Sequence, residues 1–125
     1  MKEPTQSELS IVRRAKSVAN ASRGLWLFIK TTPNAWIQLA IMAGVVLAGI
    51  YVSLSALEWA IIILTSAMVL AAEAFNTAIE IDINLTSPNY HPHARDTKDV
   101  AAGAVLITAL AAGAIGICIF SKYLL

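Results

Sequence analysis

The sequence predicts an all-α membrane protein, with an N-terminal amphipathic surface helix and three transmembrane helices in a single domain. Three observations carry that expectation. Of the 125 residues, 58% are hydrophobic and only 14% charged, whereas soluble domains hold apolar content near half and charge near a quarter. Residues 36–57 and 100–120 carry no charge over 22 and 21 positions, and about 20 such residues cross the roughly 30 Å of hydrocarbon. A third apolar run starts at Trp59 and continues through Glu73 and Glu80.

The elements follow in order. Over residues 8–32, apolar side chains recur at helical period. With 100° per residue and Ile11 at zero, Ala15, Val18, Ser22, Leu25, Trp26 and Ile29 fall within about 60° of it. Arg13, Lys16, Arg23 and Lys30 lie on the far side. Ser10 is the expected N-cap and Pro33 the expected stop. A basic amphipathic helix of this kind lies in the headgroup plane. The spans are then expected at residues 35–57, 59–83 and 98–121. The N-terminus is polar and the first long apolar run comes too late for a cleavable signal peptide. Small residues crowd the last span, where Ala109-xxx-Gly113 and Ala112-xxx-Gly116 allow close helix approach, within one protomer or between copies. Trp26, Trp36 and Trp59 read as interface anchors, and Cys118 as a buried small apolar residue.

Charge gives orientation and removes several function classes. Lys2, Arg13, Arg14, Lys16, Arg23 and Lys30 precede the first span, Arg95 and Lys98 fall in a loop expected over residues 84–99, and the turn at 53–58 has no basic residue. The positive-inside rule puts the N-terminus and that loop in the cytosol, with Lys122 as a dissenting charge. Nine basic and eight acidic residues give +1, so no excess charge argues for nucleic acid. A single cysteine excludes an internal disulfide and a thiolate zinc site. His91 and His93 have no third ligand nearby in sequence and read as solvated loop positions.

The second span carries the chemistry. Glu73, Asn76, Thr77, Glu80 and Asn84 stand at i, i+3, i+4, i+7 and i+11, one helix face. Counting from Trp59, Glu73 lies about 21 Å in and Glu80 about 31 Å in. Glu80 thus reaches the inner boundary, at the level of Lys98 and Asp99. A carboxylate in hydrocarbon costs about 2.5–3.5 kcal/mol even on lenient scales, so its default reading is functional. Desolvation makes a carboxyl harder to ionise, which suits a general base near neutral pH. The plainer reading is a carboxylate satisfied by an Asn or Thr across a helix interface.

Glu73-Ala-Phe-Asn-Thr-Ala-Ile-Glu80, then Tyr90-His91-Pro92, then Lys98-Asp99-Val-Ala-Ala-Gly-Ala-Val-Leu106 resemble the small bacterial membrane lipid kinases, the prokaryotic diacylglycerol kinase and undecaprenol kinase family. The similarity runs without gaps from about Arg13 to Leu106, and the loop and the Lys-Asp stretch look closer to the undecaprenol kinase branch. The resemblance implies ATP-dependent phosphorylation of a lipid primary hydroxyl at the cytosolic face of the bacterial inner membrane. It also implies a homotrimer with active sites shared between neighbours. On matching positions, Glu73 would be the general base, with Asn76 beside it. Glu80 would hold Mg²⁺ and, with Lys98 and Asp99, form part of the ATP site. Tyr90 and His91 would lie against the nucleotide, and Arg13 would reach it from the surface helix. No GxxxxGK[ST] loop is present, so Lys98, Arg13 and the metal would have to hold the phosphates.

The chain departs from the family at four positions. Thr32 and Asn84 stand where acidic residues are expected, Asn20 where a tyrosine is, and Trp36 where an arginine or similar polar residue is. Losing two acids predicts weaker metal binding unless Asp82 or Asp99 compensates. Two other functions compete. A proton-coupled transport subunit would also carry a buried helix carboxylate, but it leaves Lys98-Asp99 and Tyr90-His91 without a task. A catalytically weakened family member with a structural role is the reading that Thr32 and Asn84 motivate.

Overall fold

A computed structural model describes residues 2, 3 and 5–125. They form four helices: α1 (Gln6–Thr31), α2 (Pro33–Val52), α3 (Ala56–Thr86) and α4 (Pro92–Leu124). No strand occurs among the described residues. Helices α2, α3 and α4 are each long and apolar enough to cross a membrane, which makes this a multi-pass membrane protein.

Helix α1 starts earlier than Ser10. Thr5 is its N-cap: the Thr5 hydroxyl accepts from the Glu8 N–H, and the Glu8 carboxylate accepts from the Thr5 N–H at 2.7 Å. This reciprocal pair satisfies two orphan donors, where Ser10 alone would satisfy one. Pro33 ends α1 as expected and opens α2 at a position where no N–H is needed. Ile11, Val18, Leu25 and Trp26 are exposed, and Phe28 is the buried residue of α1. The apolar stripe of α1 is therefore unspent on its own bundle, as a surface helix requires.

The turn between α2 and α3 is tighter than expected. Ser53 takes a left-handed φ of 58°, and the Leu54 N–H returns to the Gly49 carbonyl at 3.1 Å, closing α2 at Val52 instead of 57. Ser55 and Glu58 then form a second capping box, which starts α3 at Ala56. The larger correction concerns the second connection. The imidazole Nδ1 of His91 accepts from the His93 N–H at 3.2 Å, and Pro92 follows in the first turn. Residues 92–99, expected in a loop, thus form the first two turns of α4, and Arg95 and Lys98 ride on a helix. Only residues 87–91 connect α3 to α4.

At 1.5 Å per residue, α3 and α4 run about 46 and 50 Å against about 30 Å for α2. The short 53–55 turn keeps α2 and α3 level at one end, so the α3–α4 hairpin projects roughly 15–20 Å past α2 at the other. The core gathers at the level end: Leu54, Ile62 and Ile119 are buried, with Val45, Val52 and Trp59 against them. Gly49 makes this possible, since a Cβ there would stand 2.7 Å from Trp59 and 2.8 Å from Leu54. Trp59 is thus half-buried and packs against this core. Glu58 is buried beside this core; it takes the Tyr123 hydroxyl at 2.7 Å and an ion pair from Lys122. The dissenting lysine is therefore not a free charge.

Cys118 is exposed, contrary to expectation. Helix α4 packs on one side only, and Cys118 faces away from it. The small residues Ala109, Ala112, Gly113 and Gly116 form one wall of an apolar groove of about 390 Å³ between α2, α3 and α4.

Candidate functional site

The polar residues collect where α1 meets α2 and the α3–α4 hairpin begins to project. Glu73 is 2% exposed, the most deeply buried large side chain in the chain. Its two carboxylate oxygens accept from the side-chain amides of Asn34 and Gln38, each at 3.3 Å. These lie one turn apart on α2, within its first two turns. Beside them, the hydroxyls of Thr32 and Thr77 share a hydrogen bond of 2.9 Å that pins the α1–α2 corner to α3. No cation pairs with Glu73 among the described residues. Hydrogen bonds from neutral amides are weaker than those from charged donors, so Glu73 is positioned by its partners without being ion-paired.

A cavity of about 360 Å³ opens at this carboxylate. Glu73, Asn76, Thr77, Glu80 and Asn84 form its α3 wall, and Leu27, Thr31, Thr32 and Asn34 face them. The helical spacing expected from the sequence therefore does place these residues around one space. Glu80 stands about 10 Å along the axis from Glu73 and is exposed. A second cavity, of about 290 Å³, lies beyond it, lined by Tyr90, His91, Arg95, Lys98 and Asp99 among others. Asn84 belongs to both. Its amide oxygen accepts from the Lys98 ammonium at 2.6 Å, so the position read as a lost acid is the joint between the two halves. Glu80 and Lys98 form no ion pair among the described residues.

The second cavity has its own internal order. The Arg95 guanidinium reaches the Tyr90 hydroxyl at 3.5 Å and the Asp96 carboxylate at 3.2 Å. His91 spends Nδ1 on capping α4. Arg13 stands apart: it is exposed, about 21 Å along α1 from Leu27, and lines neither cavity.

The donor set around Glu80 fits a hard divalent cation of one type. No three His, Cys, Asp or Glu side chains converge among the described residues, so the protein offers no complete cage. One carboxylate with amide and hydroxyl oxygens nearby is what Mg²⁺ takes when phosphates and water fill the other positions.

Two residues of this site, Asn34 and Gln38, were not legible from charge. They are amides at i and i+4 in the first turns of an otherwise apolar span. A polar pair at helical spacing opposite an intramembrane acid is the signal that finds them. Their contact with Glu73 is a neutral satisfaction of the acid across a helix interface, by Asn and Gln.

A family model described as prokaryotic diacylglycerol kinase matches residues 19–120. An undecaprenol kinase of Bacillus subtilis is 39% identical over 105 residues, 84% of this chain and 85% of that protein. A diacylglycerol kinase of Synechocystis is 42% identical over 82 residues, 65% of this chain and 47% of that protein. A diacylglycerol kinase of Helicobacter pylori is 30% identical over 109 residues, 81% of this chain and 84% of that protein.

Proposed function

The chain belongs to the prokaryotic diacylglycerol kinase family and is a lipid kinase; from that premise we propose how its residues divide the work. The acceptor is a membrane lipid alcohol, diacylglycerol or undecaprenol, and the donor is ATP, met at the cytosolic face of the bacterial inner membrane with the N-terminus inside. Glu73 takes the proton from the lipid hydroxyl as the oxygen attacks the γ-phosphorus, and ADP leaves. The observation that carries this assignment is the burial of Glu73 without a cation among the described residues, on the wall of a cavity that Glu80 also lines and that shares Asn84 with the Lys98 cavity.

The rest of the site is positioning and charge, which is most of what phosphoryl transfer asks of a protein. The second cavity receives the nucleotide, with Tyr90 and His91 against it and Asp99 on its wall. Lys98 leaves Asn84 for the phosphates. Glu80 would hold Mg²⁺, which would supply charge compensation for the phosphates when bound. Asn76 lies one turn from the base and orients it or the hydroxyl. Arg13 does not reach the nucleotide cavity of its own protomer, which suits a homotrimer in which the surface helix serves a neighbour's site. A transport role finds no use for the Lys98 cavity, and the retained Glu73, Asn76, Glu80, Lys98 and Asp99 argue against a purely structural one.

The test is transfer of labelled phosphate from Mg·ATP in mixed micelles, with diacylglycerol and undecaprenol side by side. One of the two is phosphorylated by the wild type, and Glu80→Gln lowers the rate by about 10- to 100-fold through loss of phosphate charge compensation. No transfer to either alcohol, with the protein folded, would overturn the reading.

A further inference from the structure

Within the kinase reading, the hydrogen bonds around Glu73 do not close, and the imbalance has a direction. The carboxylate receives one N–H from Asn34 and one from Gln38. The remaining amide oxygens nearby, Gln38 Oε1 and Asn76 Oδ1, are buried and have no donor. Orphaned buried acceptors are costly and are kept where something else completes them. The site holds a negative acid and two unfilled acceptors; what it lacks is a proton-bearing group. A lipid hydroxyl supplies one, and so does the carboxylic acid that Glu73 becomes after taking the proton.

We propose that Asn34 and Gln38 are positioning residues for the catalytic base: their amides hold the Glu73 carboxylate in place through neutral donors, and Asn76 Oδ1, buried and without a donor, accepts a hydrogen bond from the carboxylic acid that Glu73 becomes. The step balances. The lipid O–H bond breaks as its oxygen bonds to the γ-phosphorus and the bond to ADP breaks. The proton passes to one Glu73 oxygen, which then donates to the waiting amide oxygen until it returns to water through the Glu80 cavity. Gln38 points its N–H at the acid. It also lines the apolar groove between α2, α3 and α4, so it stands where a lipid chain and a polar head would part. The other charged group lining that cavity is Glu80, on the same α3 wall; α1 and α2 present Thr31, Thr32 and Asn34 there, and Lys98 and Asp99 of α4 line the second cavity.

The experiment uses the full chain in mixed micelles with Mg·ATP and the acceptor that the wild type phosphorylates. Gln38→Met, which keeps the side chain's length but not its amide, is expected to lower kcat about 10- to 100-fold, as misplacing a catalytic group does. KM for ATP should stay within about twofold, because the nucleotide cavity is untouched. In a Glu73→Asp background, whose shorter acid has already left the amides, Gln38→Met should cost less than about threefold more. Equal losses in both backgrounds, or a change in KM for ATP with kcat intact, would overturn the assignment. Asn34→Ala, at the exposed side of the site, gives the same comparison if Gln38→Met does not fold. A third readout needs no turnover: the infrared carboxylate band of Glu73, identified by its loss in Glu73→Gln, should move in both variants, and an unmoved band overturns the contact itself. If the wild type phosphorylates neither alcohol, the kinase reading fails before these comparisons begin.

Discussion

The two ends of the α3–α4 hairpin treat a carboxylate in opposite ways. At the level end, Glu58 is buried beside Leu54, Ile62 and Ile119, and it is met by Lys122, the Tyr123 hydroxyl and the Ser55 N–H. About 22 Å along the same helix, Glu73 is buried more deeply, yet two neutral amides at 3.3 Å are its partners. The first acid is spent on holding helices together, and the second, held in place without an ion pair, is the one we propose as the base. Burial alone therefore does not mark function. What sets the proposed base apart is burial without a cation among the described residues, on the wall of a cavity.

The largest expected effect sits at the reactive end. Glu73→Gln should lower phosphate transfer by at least about 100-fold, the lower range for a general base, with the thermal unfolding midpoint close to wild type. Next, Lys98→Ala should raise KM for ATP by about tenfold or more, the scale of a charged hydrogen bond, while leaving transfer at saturating ATP less affected. If Lys98 matters only as the partner of Asn84, an Asn84→Ala variant reproduces its effect. At the other end the cost should be structural. Gly49→Ala pushes a methyl into Trp59 and Leu54, and such overpacking costs about 1–3 kcal/mol, read as a lower unfolding temperature with unaltered KM for ATP.

The smallest effect isolates the local motif from its setting. Thr5–Glu8 and Ser55–Glu58 are the same capping box, but Glu8 is solvent-exposed and pairs with no cation among the described residues. The Thr5 backbone N–H holds the Glu8 carboxyl below its ordinary value of 4.5. Because the folded value is the lower one, this stabilisation is complete above about pH 4.5 and is lost as the pH falls through the folded value. Amide exchange in the first turn of α1 should quicken over that window, with the α3–α4 hairpin still protected.

The sequence made some of this legible and not the rest, for physical reasons. Two uncharged apolar runs and a third broken by Glu73 and Glu80 revealed the three spans, and i, i+3, i+4, i+7 spacing put Glu73, Asn76, Thr77 and Glu80 on one face before any coordinates. The start of α4 was hidden because residues 92–99 are charged enough to pass for a loop, though His91 and Pro92 already spell a helix start. Asn34 and Gln38 escaped because a search for charge skips amides. The task of Glu58 was hidden because its partner, Lys122, is 64 positions away, a distance that only the packed hairpin closes. The cysteine assignment failed for a related reason: which face of a span is covered depends on neighbours that a single helix pattern does not contain.

The central contrast is tested most directly by one paired assay. Initial rates of labelled phosphate transfer from Mg·ATP to the lipid alcohol are measured for the folded Glu73→Gln and Glu58→Gln proteins in the same micelles. The account predicts transfer near background for the first and within a few-fold of wild type for the second. Wild-type transfer by Glu73→Gln, or equal losses in both proteins, would contradict it.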